Sequence, residues 1–80
     1  MSQLANIIRS INLNLDNVAG SPEAESAVVN TAYTIVEATE WDADDTIYIL
    51  EQVLEHCKKH NIATGIRACT ELIRQEKSML

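Results

Sequence analysis

Apolar residues recur every three or four positions along most of the chain, which is the spacing of one face of an α-helix. The first segment with this spacing contains Leu4, Ile7, Ile8, Ile11, Leu15 and Val18. It predicts a helix over residues 3–18, with Ser2 in position to cap its first turn. Gly20 follows as a helix stop, because glycine readily adopts the left-handed conformation at a helix end.

A second helix is predicted over residues 22–39, where Ser21 would be the cap and Pro22 would occupy the first turn. One apolar face consists of Ala24, Ala27, Val28, Ala32, Ile35 and Ala38. An adjacent strip consists of Val29, Tyr33 and Val36. Together they are wider than the stripe of a helix that packs on one side. The helix is therefore predicted to be central in a bundle, or to form a self-interface through the adjacent strip.

A third helix is predicted over residues 43–60, with Asp42 as its cap and with Asp44 and Asp45 in the first turn. Trp41 lies just before the cap, where an apolar residue can pack back on the helix. The predicted core stripe contains Ile47, Leu50, Val53, Leu54 and Cys57.

A fourth helix is predicted over residues 64–77. Its inward face contains Ile66, Cys69, Leu72 and Ile73. Thr64 is a candidate cap, Gly65 makes the start uncertain, and Ile62 falls either in the turn or in the helix. With no repeat, low-complexity segment or linker in between, the pattern predicts an all-α single domain over residues 1–80, a small bundle of four helices.

The composition agrees with this fold class. Hydrophobic residues make up 46% of the chain and are mostly aliphatic, while Phe is absent and Pro and Gly are scarce, which favours helices over a sheet or disorder. No apolar run approaches the ~20 residues that span a bilayer, and the chain start does not resemble a signal peptide. We therefore expect a cytoplasmic protein without membrane association. Cys57 and Cys69 are too few for a disulfide framework and are predicted to be reduced core thiols.

Charge is distributed unevenly along the chain, whose formal net charge is −6. No Lys or Arg occurs between Ser10 and Cys57, whereas ten carboxylates do. They are Asp16, Glu23, Glu25, Glu37, Glu40, Asp42, Asp44, Asp45, Glu51 and Glu55. From Lys58 onward the cations outnumber the acids. Such a field repels nucleic acid over most of the surface and attracts basic partners.

An aromatic residue among these acids is a candidate contact residue. Tyr48 is predicted to lie opposite the core stripe of the third helix, beside Glu51, Gln52 and Glu55. The predicted partner-binding set is Glu37, Glu40, Asp44, Asp45, Tyr48, Glu51 and Glu55. The leading hypothesis is a non-enzymatic protein–protein interaction module, a small regulator or inhibitor that binds a partner with a basic surface. The structural alternative is that the acidic surface serves solubility alone and that the second helix forms the interface of a homodimer.

Two other functions are compatible with the sequence. A phage-type anti-defence inhibitor, such as an anti-CRISPR protein that imitates DNA charge, would use the same acidic surface. A DNA-binding regulator would instead use Arg67 and Arg74, which lie two turns apart on the fourth helix. Six cations against twelve acids are a poor footprint for nucleic acid, and Glu71 is able to pair with either arginine. Nucleic acid is therefore not the expected partner.

His56 and His60 have the i, i+4 spacing at which two imidazoles on one helical face can share a zinc ion. No third or fourth ligand is obvious from the sequence. A run of cations at a helix C-terminus also complements the helix dipole, and this role is the simpler one. We therefore expect neither a metal nor a cofactor.

The remaining candidate chemistry is weak. Asp42, Asp44 and Asp45 resemble the start of an EF-hand loop but lack its glycine, so helix capping accounts for them better. His56 and Cys57 are adjacent on a helix and point in different directions. No phosphate-binding loop or Ser/His/Asp set is present, so the chain is not expected to be an enzyme.

The sequence resembles the small helical bacterial regulators of biofilm formation and acid resistance of the AriR/YmgB type. The matching residues are Leu4-Ala5, Arg9-Ser10, Glu25-Ser26-Ala27-Val28, Ile49-Leu50, Leu54-Glu55 and Ile66-Arg67. It departs from that family at Val29-Asn30, where the family tends to have a Leu-Gly step. The resemblance implies a dimeric regulator that acts without catalysis.

Overall fold

The computed structural model describes residues 3–38 and 41–80. Within them lie four α-helices and no strand: α1 Gln3–Val18, α2 Ala24–Glu37, α3 Ala43–His60 and α4 Ala63–Ser78. The predicted all-α bundle of four helices is thereby confirmed. None of these helices combines the length and the apolar character needed to cross a membrane. The predicted cap Ser2 lies outside the described residues.

The two middle helices hold the bundle together. α2 and α3 pack against each other, and each also contacts α1 and α4, whereas α1 and α4 do not meet within the described ranges. This arrangement explains the wide apolar surface of α2, because the helix has neighbours on several sides. Val29 and Val36 are half-buried against the core, while Tyr33 is 49% exposed.

The core is built mainly by α2, α3 and α4. Its largest completely enclosed side chains are Leu15, Val28, Val53, Ile49, Leu50, Cys57 and Cys69. Leu15 is the only buried residue of α1, whose other apolar residues are half-buried or exposed. α1 is therefore an edge helix that inserts a single fully buried side chain, Leu15, into the core.

Burial along α3 extends beyond the predicted stripe. Ile49 is fully buried although the stripe omitted it, and Leu54, which the stripe included, is only half-buried. The reason is that α3 touches three other helices, so residues at several angles around its axis are covered.

Both predicted ends of α3 are confirmed. The Asp42 carboxylate accepts a hydrogen bond from the Asp45 backbone N–H at 3.0 Å, as expected of an N-cap. The Trp41 indole packs on the core and donates to the Ile35 carbonyl at 3.2 Å. Asn61 ends the helix in the left-handed conformation with φ 60°, a common helix ending.

The predicted start of α2 at Pro22 is two residues too early. The Ser21 hydroxyl accepts from the Glu23 N–H at 3.2 Å and donates to the Val18 carbonyl at 2.7 Å. The Ser21 carbonyl accepts from the Ala24 N–H at 3.1 Å. These bonds make a tight turn around Pro22, and the helix begins only after it.

The start of α4 also differs from the prediction, because Thr64 is not the cap. Its hydroxyl donates instead to the Glu25 carboxylate of α2 at 2.7 Å, and Ile62 stands at the N-cap without a side-chain hydrogen bond. Gly65 lies buried within the helix. A Cβ atom there would be 2.5 Å from Cys57 Sγ and 2.8 Å from Val28 Cγ2, so the glycine allows α4 to approach α3 and α2 closely.

Candidate functional site

A row of acids around one aromatic residue follows the outer face of α3. It consists of Asp44, Tyr48, Glu51 and Glu55, all of them exposed. Their spacing of four, three and four residues keeps them within one narrow sector of the helix, about 16 Å long at 1.5 Å per residue. We refer to these four residues as the acidic stripe. Tyr48 is 49% exposed, which confirms its predicted outward position.

The acidic stripe ends where the cations of α3 begin. Lys58, Lys59 and His60 occupy the last turn, where positive charge complements the helix dipole. Lys58 Nζ lies 3.9 Å from Glu55 Oε2. Because both side chains are well exposed, such a pair contributes little to stability.

The other members of the predicted partner-binding set are placed differently. Asp45 is half-buried and lines a pocket together with Trp41 and the α1 residues Gln3, Leu4 and Ile7. Glu37 is exposed as the last residue of α2. Glu40 lies outside the described residues. The acidic stripe is thus the part of the predicted set that shares one helical face.

A second cluster joins α1 to the C-terminal end of α3. His56 Nδ1 lies 3.3 Å from Asp16 Oδ1, and His60 Nε2 lies 3.9 Å from the same oxygen. The two imidazole rings are tilted by 45° with their centroids 4.5 Å apart. One donor atom from each of the three residues falls within 4.8 Å of the other two. We refer to these residues as the Asp–His–His cluster.

His56 is the most constrained member of the cluster. It is only 7% exposed, and its Nε2 has no hydrogen-bond partner among the described residues. Burial lowers the pKa of His56, and the charges of His60 and Lys59 lower it further, while Asp16 opposes the shift. The imidazole is therefore neutral at pH 7. It borders an open cleft of about 340 Å³ whose lining includes Asn12, Asp16, Gln52, Glu55 and Lys59.

Sequence reasoning identified the two histidines but missed Asp16. The carboxylate comes from a different helix, forty positions before His56 in the chain, and its role depends on how α1 packs against α3. Helical periodicity fixes which residues share a face of one helix, but it does not fix which faces of two helices meet. The only signal was that Asp16 directly follows Leu15, a member of the predicted apolar stripe.

The two cysteines are free and buried, as predicted. Burial raises the pKa of the Cys57 thiol, and it raises that of Cys69 to about 12 with a further contribution from Cys57. Both thiols are consequently protonated at neutral pH and pack as small apolar groups.

The cations of α4 offer only a limited surface for an anion. Arg67 and Arg74 are both exposed on the outer side of the helix, but the Arg74 guanidinium already donates to the Glu71 carboxylate. This pairing was one of the two predicted for Glu71, and it neutralises part of the surface that a DNA-binding helix would use.

Comparisons with family models, with curated proteins and with solved structures find no match for this chain. The resemblance to the AriR/YmgB-type regulators accordingly stays a prediction.

Proposed function

We propose that this protein is a non-enzymatic interaction module, a small regulator or inhibitor that binds a basic surface of a protein partner through the acidic stripe of α3. The observation that carries the proposal is the shared exposed face of Asp44, Tyr48, Glu51 and Glu55. No cation lies on that face before Lys58, so its charge is of one sign over about three helical turns.

Each part of the acidic stripe has a distinct role in this proposal. The carboxylates steer a basic partner and fix its orientation, since complementary charge mainly raises the association rate and the specificity. Tyr48 supplies a rigid aromatic group with a polar end at the middle of the acidic stripe. Tyrosine is among the residues that contribute most to interface affinity. α3 packs against three other helices, so its backbone is already ordered. Binding through these side chains therefore loses no backbone conformational entropy.

An inhibitor that imitates the charge of DNA is a narrower form of the same proposal. Carboxylates at regular spacing along a straight helix would then occupy a site where the partner binds phosphates. The two forms differ in one measurable property, because duplex DNA should compete with this protein for its partner only if DNA is being imitated.

Charge reversal on the acidic stripe should weaken partner binding. With the protein immobilised and its partner captured from host extract and identified, we expect Glu51→Lys to reduce the affinity for that purified partner at least about tenfold, because repulsion replaces attraction across the interface. The affinity of the unchanged protein should also fall as salt increases. Both quantities are measured by surface plasmon resonance with the purified partner.

The matched control is Glu23→Lys, which changes the net charge by the same amount at an exposed position outside the acidic stripe. It should retain most of the affinity, as judged on samples whose helicity by circular dichroism equals that of the original protein. A partner whose affinity is unchanged by Glu51→Lys and by Tyr48→Ala would refute the proposal. Equal losses with Glu23→Lys would show that only net charge matters, and would likewise refute a role for the acidic stripe.

A further inference from the structure

We infer that Asp16, His56 and His60 form a binding site for a zinc ion that joins α1 to the end of α3. The three residues offer two imidazole nitrogens and one carboxylate oxygen, a donor set that zinc accepts in proteins. Imidazole nitrogen favours zinc and its neighbours in the transition series over calcium and magnesium, which prefer oxygen ligands alone.

Two of the three separations between the donors are close to the value that a tetrahedral ion requires, and all three are within 4.8 Å. With metal–ligand bonds of 2.0–2.2 Å, two ligands of a tetrahedral zinc ion are about 3.3 Å apart. His56 Nδ1 and Asp16 Oδ1 already have this separation. His60 Nε2 lies 3.9 Å from the same oxygen and needs only a small movement. His60 lies in the last turn of α3 with its side chain 30% exposed, and a small rotation of that side chain would shorten the distance.

His56 presents one of its nitrogens to the same position. Its Nδ1 lies 3.3 Å from Asp16 Oδ1, whereas its Nε2 is buried without a hydrogen-bond partner among the described residues. A zinc ion between Nδ1 and Oδ1 would take both atoms as ligands, with the imidazole proton on Nε2.

The position of the site indicates what a bound ion would do. α1 is the edge helix, and Leu15 is its only buried residue. A metal ion held by the next residue and by α3 would add a polar attachment to the apolar packing of α1 on the core. Because an ion that binds the folded state alone stabilises it by mass action, zinc should raise the unfolding temperature and hold α1 in place.

Zinc titration of the full chain, with any purification tag removed, tests the site directly. We expect one zinc ion per chain by competition with a chromophoric chelator, together with an unfolding temperature that rises with zinc and returns on addition of EDTA. Magnesium and calcium at the same concentrations should produce neither effect. Half an ion per chain would indicate a site between two chains and would overturn the inference.

Two conservative variants remove ligands without removing core side chains. Asp16→Asn and His60→Gln alter exposed residues. Loss of a residue that only supports a metal ligand lowers metal affinity by up to about 100-fold, so loss of a ligand itself should lower zinc affinity by more than that. Asp44→Asn is the matched control, an identical change at an exposed acid of the acidic stripe, and it should bind zinc like the original protein. Unchanged affinity in both ligand variants would overturn the inference.

Two further variants test the position of the ion. Lys59 lines the same cleft, and its charge opposes a cation, so Lys59→Gln should raise zinc affinity several-fold if the ion lies where we infer. The buried thiols are the alternative ligands. Loss of zinc binding in Cys57→Ser together with normal binding in His60→Gln would place the ion on sulfur and contradict the assignment.

Discussion

Leu15→Ala is expected to lower the free energy of unfolding by about 3 kcal/mol, the usual cost of truncating an enclosed leucine. Leu15 is 1% exposed and is the deepest side chain of α1. Its removal takes away the principal apolar contact between α1 and the rest of the bundle. A chain of this length has a total stability of only about 4–12 kcal/mol, so the loss would be a large part of it. Urea unfolding followed by circular dichroism measures the effect.

Leu13 provides a matched control in the same helix. It is 59% exposed, so Leu13→Ala makes the identical chemical change where little apolar surface is lost. We expect a difference within about 0.5 kcal/mol, which is typical of surface substitutions. Similar losses for the two variants would mean that α1 does not pack through Leu15. Because Asp16 follows Leu15 directly, the destabilised variant should also lose much of its zinc affinity.

The number and type of the helices could be predicted because local signals agreed with one another. Asp42 and Asn61 mark the two ends of α3 through well-defined capping geometry, and apolar periodicity defines the inward side of each helix. Helix starts were less certain where two local structures compete for the same residues. Ser21 forms a turn before α2 rather than its cap, and Thr64 donates to Glu25 rather than capping α4.

The candidate sites differed in how far the sequence could define them. The acidic stripe lies on a single helix, so the spacing of Tyr48, Glu51 and Glu55 was sufficient to place them together. The Asp–His–His cluster spans two helices. Its third member, Asp16, depends on the packing of α1 against α3, which no periodicity in the chain specifies.

The role of Gly65 also depends on helix–helix packing that the sequence does not specify. Its substitution is expected to have the second large effect on stability. A glycine in the first turns of a predicted helix indicates a weak start, since it costs about 1 kcal/mol relative to alanine. In the structure it is instead a point where α4 approaches α3 and α2 closely. A Cβ atom would lie 2.5 Å from Cys57 Sγ and 2.8 Å from Val28 Cγ2, and both neighbours are completely buried.

We therefore expect Gly65→Ala to lower the free energy of unfolding by about 2 kcal/mol, because the cost of overpacking a core exceeds the gain in helix propensity. The helices would have to separate, since both Cys57 and Val28 are enclosed by the core. Urea unfolding gives the magnitude. Thr70→Ala, at an exposed position of the same helix, is the control and should leave stability unchanged or slightly increased.

A double-mutant cycle identifies the clash itself. If the added methyl group collides with Cys57 Sγ, Gly65→Ala should be less damaging in a Cys57→Ala background, where that sulfur is absent. The interaction energy should be at least about 0.5 kcal/mol, as expected for residues in contact. Strict additivity of the two substitutions, or a Gly65→Ala variant more stable than the original protein, would show that α4 does not pack on α3 at this glycine. Because α4 supports the face of α3 that carries Cys57, while the acidic stripe lies on its exposed face, the same variant should retain partner binding as long as it remains folded.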